Sequence, residues 1–331
     1  MNWKLIFLLF TSTSAMAQPG RDPAEARIKA AELAAGQEHK GLLNTLCAPP
    51  APPVLSSAIP VRAIAEQNPA RETWHAEPVK VFDNLYWVGQ TEYSSWAVTT
   101  SEGIILIDAI HDYSVEDEVV NGLKKLDLDP AMIKYVIVSH GHRDHAGGAK
   151  YLQEHFGARI VMSATDWDLI EHDTALWSKP KRDMTVIDSQ KLTLGDTTLT
   201  IYLTPGHTLG TISMLIPVKD NGKPHVAAEW GGTPFNWLTD RRAYITSGRP
   251  DRFWFETYVN SAKRFRDIVS KAGVDVIISN HTNYDESKLK LPLLATRTPA
   301  DDNPYVIGKD AAQRYLIVAE QCAMAGLARL K

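Results

Sequence analysis

The sequence has 331 residues, 44% of them hydrophobic and 22% charged, which is ample material for a large core, and its formal charge is −4. That mildly acidic balance excludes the basic footprint of a nucleic-acid binder, and no apolar run approaches the roughly 20 residues that span a bilayer. The expected partner is a small-molecule substrate, with no nucleic acid and no stable membrane insertion.

The N-terminus reads as a targeting segment. Met1 to Lys4 is basic, Leu5 to Phe10 is apolar, and Ala15-Met16-Ala17 is the small-x-small pattern before a signal-peptidase cut. Residues 1–17 are therefore expected to be removed and the mature protein to be periplasmic or secreted. Asp22-Pro23 supplies a helix cap followed by proline at the first helical position, so Ala24 to Leu46 is expected to form one helix. Ala48 to Pro53 cannot continue it and should run as an extended, proline-rich linker. This divides the chain into a signal peptide, an N-terminal helix and linker over 18–73, and a catalytic domain over 74–331. The cysteines Cys47 and Cys322 either pair, joining the arm to the last helix, or remain two buried thiols; the sequence leaves both open.

Alternating residues from Val79 to Val88, broken at Asp83-Asn84, predict two strands, and Ser95 to Thr100 and Gly103 to Ile107 predict two more. Ser114 to Asp117 matches a capping box that opens a helix ending near Leu126. Ile133 to Val138 is apolar apart from Lys134 and is expected to be a strand covered on both faces. A helix near Gly148 to Phe156 and a strand at Arg159 to Met162 follow. Next come strands at Lys191 to Leu194, Thr197 to Leu203, Thr211 to Val218 and His225 to Ala228. A helix over Phe255 to Ala272, a strand at Val274 to Ile278 and a last helix over Asp310 to Leu330 complete the chain. Two runs of strands flanked by helices predict an α/β protein: an αββα sandwich with an N-terminal helical arm and a C-terminal helix.

The strongest chemical signal follows the buried strand: Ser139-His140-Gly141-His142-Arg143-Asp144-His145-Ala146-Gly147-Gly148. Side chains on a loop at the end of a rigid strand converge on one point. Imidazole is a common zinc donor, and three neutral nitrogens leave a fourth tetrahedral position open for water. His140 and His142 supply two of these, and His207, in Thr204-Pro205-Gly206-His207-Thr208, supplies a third. Asp144 and His145 face a second metal, which His281 closes from the loop after the strand Val274 to Ile278. His39, His75, His111, His155, His172 and His225 lie in no such context and read as ordinary residues.

The pattern His140-x-His142-x-Asp144-His145 resembles the signature of the metallo-β-lactamase superfamily, and Thr204 to Thr208 resembles its second metal motif. Phe82 to Gly89, Ser94-Ser95 and Ile105 to Asp108 are similar to the third subclass (B3) of zinc β-lactamases. The resemblance runs from about Trp74 to the C-terminus. It implies the metallo-β-lactamase fold, two Zn2+ per chain, and a second zinc closed by a histidine, in keeping with His281. It also implies β-lactam hydrolysis by a metal-bound hydroxide, with Asp144 both a ligand and the group that orients the hydroxide.

Two departures bear on substrate. Other superfamily members carry a bridging aspartate after a strand that follows the third histidine, where this chain has His225 to Thr233; Glu229 there either substitutes for it or is a surface glutamate at a strand end, and the second reading is preferred. The β-lactamase subclass places serines in that segment to hold the substrate carboxylate, and here only Thr233, beside Trp230, offers a hydroxyl, so these two are the candidate substrate contacts. Trp177, Trp237 and Trp254 are further candidates for the pocket wall. The alternatives are a metallo-hydrolase of lactones, esters or other small amides, and a non-catalytic zinc-binding interaction protein.

Overall fold

The computed structural model describes residues 22–48 and 68–330. The expected signal peptide and most of the proline-rich linker lie outside the described residues.

Two helices open the described chain, α1 (Pro23–Ala35) and α2 (Lys40–Leu46). Asp22 caps α1 as the sequence predicts, its carboxylate accepting from the Ala24 amide at 3.0 Å. The single helix expected over Ala24 to Leu46 is corrected to these two. The break falls at Gly36, whose φ of +55° a side chain rarely adopts. The break folds α2 back so that Leu42 and Leu46 enter the same core as Ala31 and Ala35 of α1.

Strands β1 (Val79–Phe82), β2 (Leu85–Trp87), β3 (Trp96–Thr100), β4 (Gly103–Ile107), β5 (Ile133–Ile137), β6 (Arg159–Ser163) and β7 (Met184–Val186) form one sheet in sequence order. Pairing is antiparallel from β1 to β4 and parallel from β4 to β7. Helices α3 (Asn121–Lys125), α4 (Arg143–Ala146), α5 (Ala149–Phe156) and α6 (Ala164–His172) lie in its connections. The second sheet holds β8 (Gln190–Leu194), β9 (Thr197–Leu203), β10 (Ile212–Asp220), β11 (Lys223–Trp230) and β12 (Val276–Ser279), in the order β12-β11-β10-β9-β8. Helices α7 (Arg241–Tyr244), α8 (Asp251–Ala272), α9 (Ser287–Leu294) and α10 (Lys309–Arg329) complete the chain.

Three layers of apolar side chains hold this αββα sandwich together. Trp96, Ile105 and Ile107 meet Ile201, Met214 and Ile278 between the sheets. Leu106, Val136 and Ile160 point outward from the first sheet onto Leu123, Leu152 and Trp167. Ala228, Trp230 and Ile277 point outward from the second sheet onto Phe255, Phe265 and Tyr315. All five residues of β4 are buried, as the unbroken apolar run Gly103 to Ile107 requires of a strand covered on both faces. Cys47 and Cys322 form a disulfide that ties the end of α2 to α10.

Candidate metal centre

Five chain segments meet at one edge of the sandwich: the turn after β4, the loop after β5, the loop after β9, the turn after β11 and the loop after β12. The first contributes Asp108, held at a φ of +60° where strand β4 ends. The second carries His140 through His145 and runs into the short helix α4. The third carries His207, the fourth Gly231 to Thr233, and the fifth Asn280 and His281.

The structure brings all six predicted ligands together in two groups of three. His140, His142 and His207 make one group, and Asp144, His145 and His281 the other, each with its donor atoms within 4.8 Å of one another. In the first, His207 Nε2 stands 3.0 Å from both His140 Nε2 and His142 Nδ1. The outward nitrogens are tethered. His140 Nδ1 donates to the Gly231 carbonyl at 2.8 Å and His207 Nδ1 to the Pro234 carbonyl at 2.7 Å. A carbonyl can only accept, so both inward Nε2 atoms present lone pairs. His142 turns its other nitrogen to the Tyr244 hydroxyl at 2.9 Å.

In the second group, Asp144 Oδ2 lies 3.2 Å from His145 Nε2 and 3.6 Å from His281 Nε2. His145 Nδ1 is fixed by Asp108 Oδ2 at 2.8 Å, and Asp108 also accepts from the Ser139 amide at 2.7 Å and the Ser139 hydroxyl at 2.8 Å. One buried carboxylate thus orients both the start of the histidine loop and one of its imidazoles. Asn280 reinforces the same corner, donating to the Gly231 carbonyl at 2.9 Å.

The electrostatics suit metal donors. Burial, then neighbouring imidazoles, hold His140 well below the usual histidine range, and burial does the same for His207; burial also pushes His281 down to about 3. Burial opposes ionisation of Asp144, but His145 and His281 overcome it and keep the carboxyl well below its ordinary range. For His145 burial works downward, and Asp144 and Asp108 together override it, raising the group to about 10. Lone pairs of the neutral His140, His142 and His207 imidazoles packed about 3 Å apart are a poor arrangement for one another and a good one for a cation, and a second cation beside Asp144 and His281 would displace the proton that the carboxylates favour on His145. The donor set therefore fits zinc.

Beside the first group opens a cleft of about 620 Å3, lined among others by His142, Thr208, Leu169, Tyr244, Arg249 and Trp254. Trp254 is the predicted wall tryptophan that reaches it. Trp230 and Thr233 do not act as the expected substrate contacts. Trp230 is 1% exposed, packs on Tyr258 and Phe265, and donates its indole N–H to the Tyr258 hydroxyl at 3.0 Å, while Thr233 is fully buried. Trp230, the last residue of β11, is directed into the layer beneath α8. Glu229 is corrected too: it is fully buried on the inter-sheet side of β11, with neither carboxylate oxygen hydrogen-bonded, and burial raises it well above the ordinary carboxylate range.

Reasoning from sequence missed Asp108, Asp166 and Tyr244. Asp108 ends an apolar strand, and the resemblance over Ile105 to Asp108 assigns it no role. Asp166 did carry a signal in Ser163-Ala164-Thr165-Asp166, a helix cap with an acid three positions on; Ser163 Oγ accepts from the Asp166 amide at 3.2 Å.

Residues 88–220 match the family model described as the metallo-beta-lactamase superfamily, and the chain carries a domain of that metallo-hydrolase superfamily. The fold is the metallo-β-lactamase fold. Among solved structures, it is similar to a mutant of the FEZ-1 metallo-beta-lactamase from Legionella gormanii, at a TM-score of 0.64 and 26% identity over 76% of this chain and 95% of that one. A hydroxyacylglutathione hydrolase from Pseudomonas syringae is 26% identical over 47% of this chain and 61% of its own length. An N-acyl homoserine lactonase from a Bacillus species is 26% identical over 47% of this chain and 59% of its own length. The chain thus spans about three fifths of these two curated relatives.

Proposed function

We propose that the protein is an exported two-zinc hydrolase that opens the amide bond of β-lactam antibiotics. The observation that carries this reading is the pair of adjacent three-donor groups, three imidazoles in one and Asp144, His145 and His281 in the other, with His142 of the first lining a cleft. The similarity to FEZ-1 across nearly its whole chain supports it. The Cys47–Cys322 disulfide supports export, because such bonds persist in oxidising compartments.

Zinc held by these residues would lower the pKa of a water to about 7 and polarise the scissile carbonyl. The chain's own groups supply the rest. Asp144, kept ionised by His145 and His281, accepts a hydrogen bond from the attacking water and aims it. The carboxyl group then passes the proton to the departing nitrogen. Tyr244 and Trp254 with Leu169 and Leu209 line the cleft with an apolar wall that seats the substrate body and excludes water.

One observation favours a second reading, hydrolysis of a lactone, ester or other small amide. A β-carbon on Gly231 would run into the Ile212 carbonyl, and one on Gly232 would come within 2.6 Å of His207 Cβ. No side chain from this segment can reach into the site to hold a substrate carboxylate. The N-acyl homoserine lactonase among the relatives fits this reading.

The test is turnover of a chromogenic cephalosporin, a carbapenem and an acyl lactone by the zinc-loaded protein, with chelator and Asp144→Asn controls. The β-lactam reading expects turnover of the first two, lost in both controls. Turnover of the lactone alone would replace it with the second reading.

A further inference from the structure

We propose that Asp166 is a positioning residue that assembles the three-histidine site before any metal arrives; the inference rests on the reading of His140, His142 and His207 as ligands. These donors come from two loops 67 residues apart in sequence, measured from His140 to His207. Closing such loops costs conformational entropy, and imidazole lone pairs do not attract one another, so something else must hold the loops together. The carboxylate of Asp166 spans them. Its Oδ2 accepts from the Gly141 amide at 2.8 Å, between the ligands His140 and His142, and from the Thr208 hydroxyl at 2.8 Å, next to His207. Its Oδ1 accepts from the Gly210 amide at 3.0 Å. Both oxygens are therefore committed to the two ligand loops.

The clasp is built to be rigid. Asp166 is 1% exposed and sits in the first turn of α6, behind the Ser163 cap, where the helix N-terminus favours a carboxylate. Thr208 is itself oriented by the Thr211 hydroxyl at 2.8 Å. Both bridged glycines are there for close approach. A β-carbon on Gly210 would strike Asp166 and Ser163, and one on Gly141 would lie 2.9 Å from Ile170 Cγ2 and 3.1 Å from the Asp166 carbonyl. No comparable bond from Asp166 reaches Asp144, His145 or His281; of these, His145 is held by Asp108. Asp108 meets both groups, through His145 directly and through Ser139 beside His140, whereas the bonds of Asp166 lie around the three histidines, so loss of Asp166 acts chiefly on that group.

The experiment measures zinc affinity by competition with a chromophoric chelator in two backgrounds. His281→Ala leaves the three-histidine site, and His207→Ala leaves the other. Adding Asp166→Asn, which sets an amide N–H against donors the carboxylate accepted from, is expected to weaken zinc in the His281→Ala background by roughly 10–100-fold. The same change in the His207→Ala background is expected to leave affinity unchanged. Thr208→Val should reproduce part of the loss and Thr208→Ser should restore it, and this pair carries the test if Asp166→Asn does not fold. Cobalt substituted for zinc gives a second readout, the visible absorption of a site whose ligand angles have relaxed. Equal losses in both backgrounds, or none in either, would overturn the proposal. A His281→Ala parent that takes up no zinc would instead sink the metal reading beneath it.

Discussion

A ligand histidine differs from an ordinary one by what its second nitrogen does. His140 and His207 each spend Nδ1 on a backbone carbonyl, which fixes the tautomer and aims Nε2 inward. His225 spends its Nδ1 on Asp275 at 2.7 Å, near the start of β11 and so at the opposite end of that strand from Gly231, and remains a structural residue. Because each metal group has three protein donors, removing one should cost one ion and leave the other site standing. His207→Ala is expected to bind one zinc fewer per chain by elemental analysis, and His281→Ala likewise, with the remaining ion retained through gel filtration. Unchanged stoichiometry in His281→Ala would move that role to another residue. The six donors were legible in the sequence because four lie within six positions and the other two follow strands. The roles of Asp108 and Asp166 were not: the cap pattern Ser163 to Asp166 marks a helix start, but which loop amides a carboxylate bonds is set only once the loops are folded.

At the scale of the element, β11 shows why alternation read from sequence can fail. His225 to Ala228 is expected from the sequence to be a strand, with Glu229 on the surface at its end, yet the strand runs on to Trp230 and is interior, paired to β10 on one side and β12 on the other. Its side chains therefore alternate between two buried layers, Ala227 and Glu229 toward the inter-sheet core and Ala228 and Trp230 toward α8. A lone glutamate in such a strand must sit among apolar groups, and Met214 and Ile278 are its register neighbours. Burial raises its carboxyl well above the unfolded value, so the folded state holds a proton the unfolded chain gives up. Stability should therefore fall as pH climbs from the unfolded carboxyl range toward the folded one. Glu229→Gln removes that ionisation. Urea unfolding at pH 5 and pH 8 should show the variant gaining on the parent at the higher pH; a difference independent of pH would mean Glu229 has a partner when folded. The helix break at Gly36 was missed for a related reason, because Ala24 to Leu46 is rich in helix formers and only packing against α10 selects the bend.

At the scale of the whole molecule, the N-terminal arm is part of the machinery that holds the second metal group. The described arm lies on α10 through Ala31, Ala35, Leu42 and Leu46, with His39 Nε2 donating to the Ala311 carbonyl at 2.7 Å. Its other neighbour is the loop after β12. The Gly41 amide donates to Glu286 Oε1 at 2.6 Å, and a β-carbon on Gly41 would overlap the Asn283 carbonyl. Asn283 and Tyr284 lie two and three positions after His281, and the Tyr284 ring lies 5.0 Å from the His281 imidazole. The Cys47–Cys322 bond closes a loop of 275 residues and clamps this assembly. A cross-link over so long a loop restricts the unfolded chain by about 2–5 kcal/mol. Replacing both cysteines with serine is therefore expected to lower the urea midpoint, with the slope of the transition rising as the unfolded state expands. Because the arm touches the His281 loop and none of its bonds reaches the three-histidine group, the same variant should lose zinc first from Asp144, His145 and His281. Chelator-driven release would then become biphasic, with the fast phase absent when the variant is built on His281→Ala. Release from both groups at one rate would mean that the disulfide stabilises the fold without reaching the metal centre.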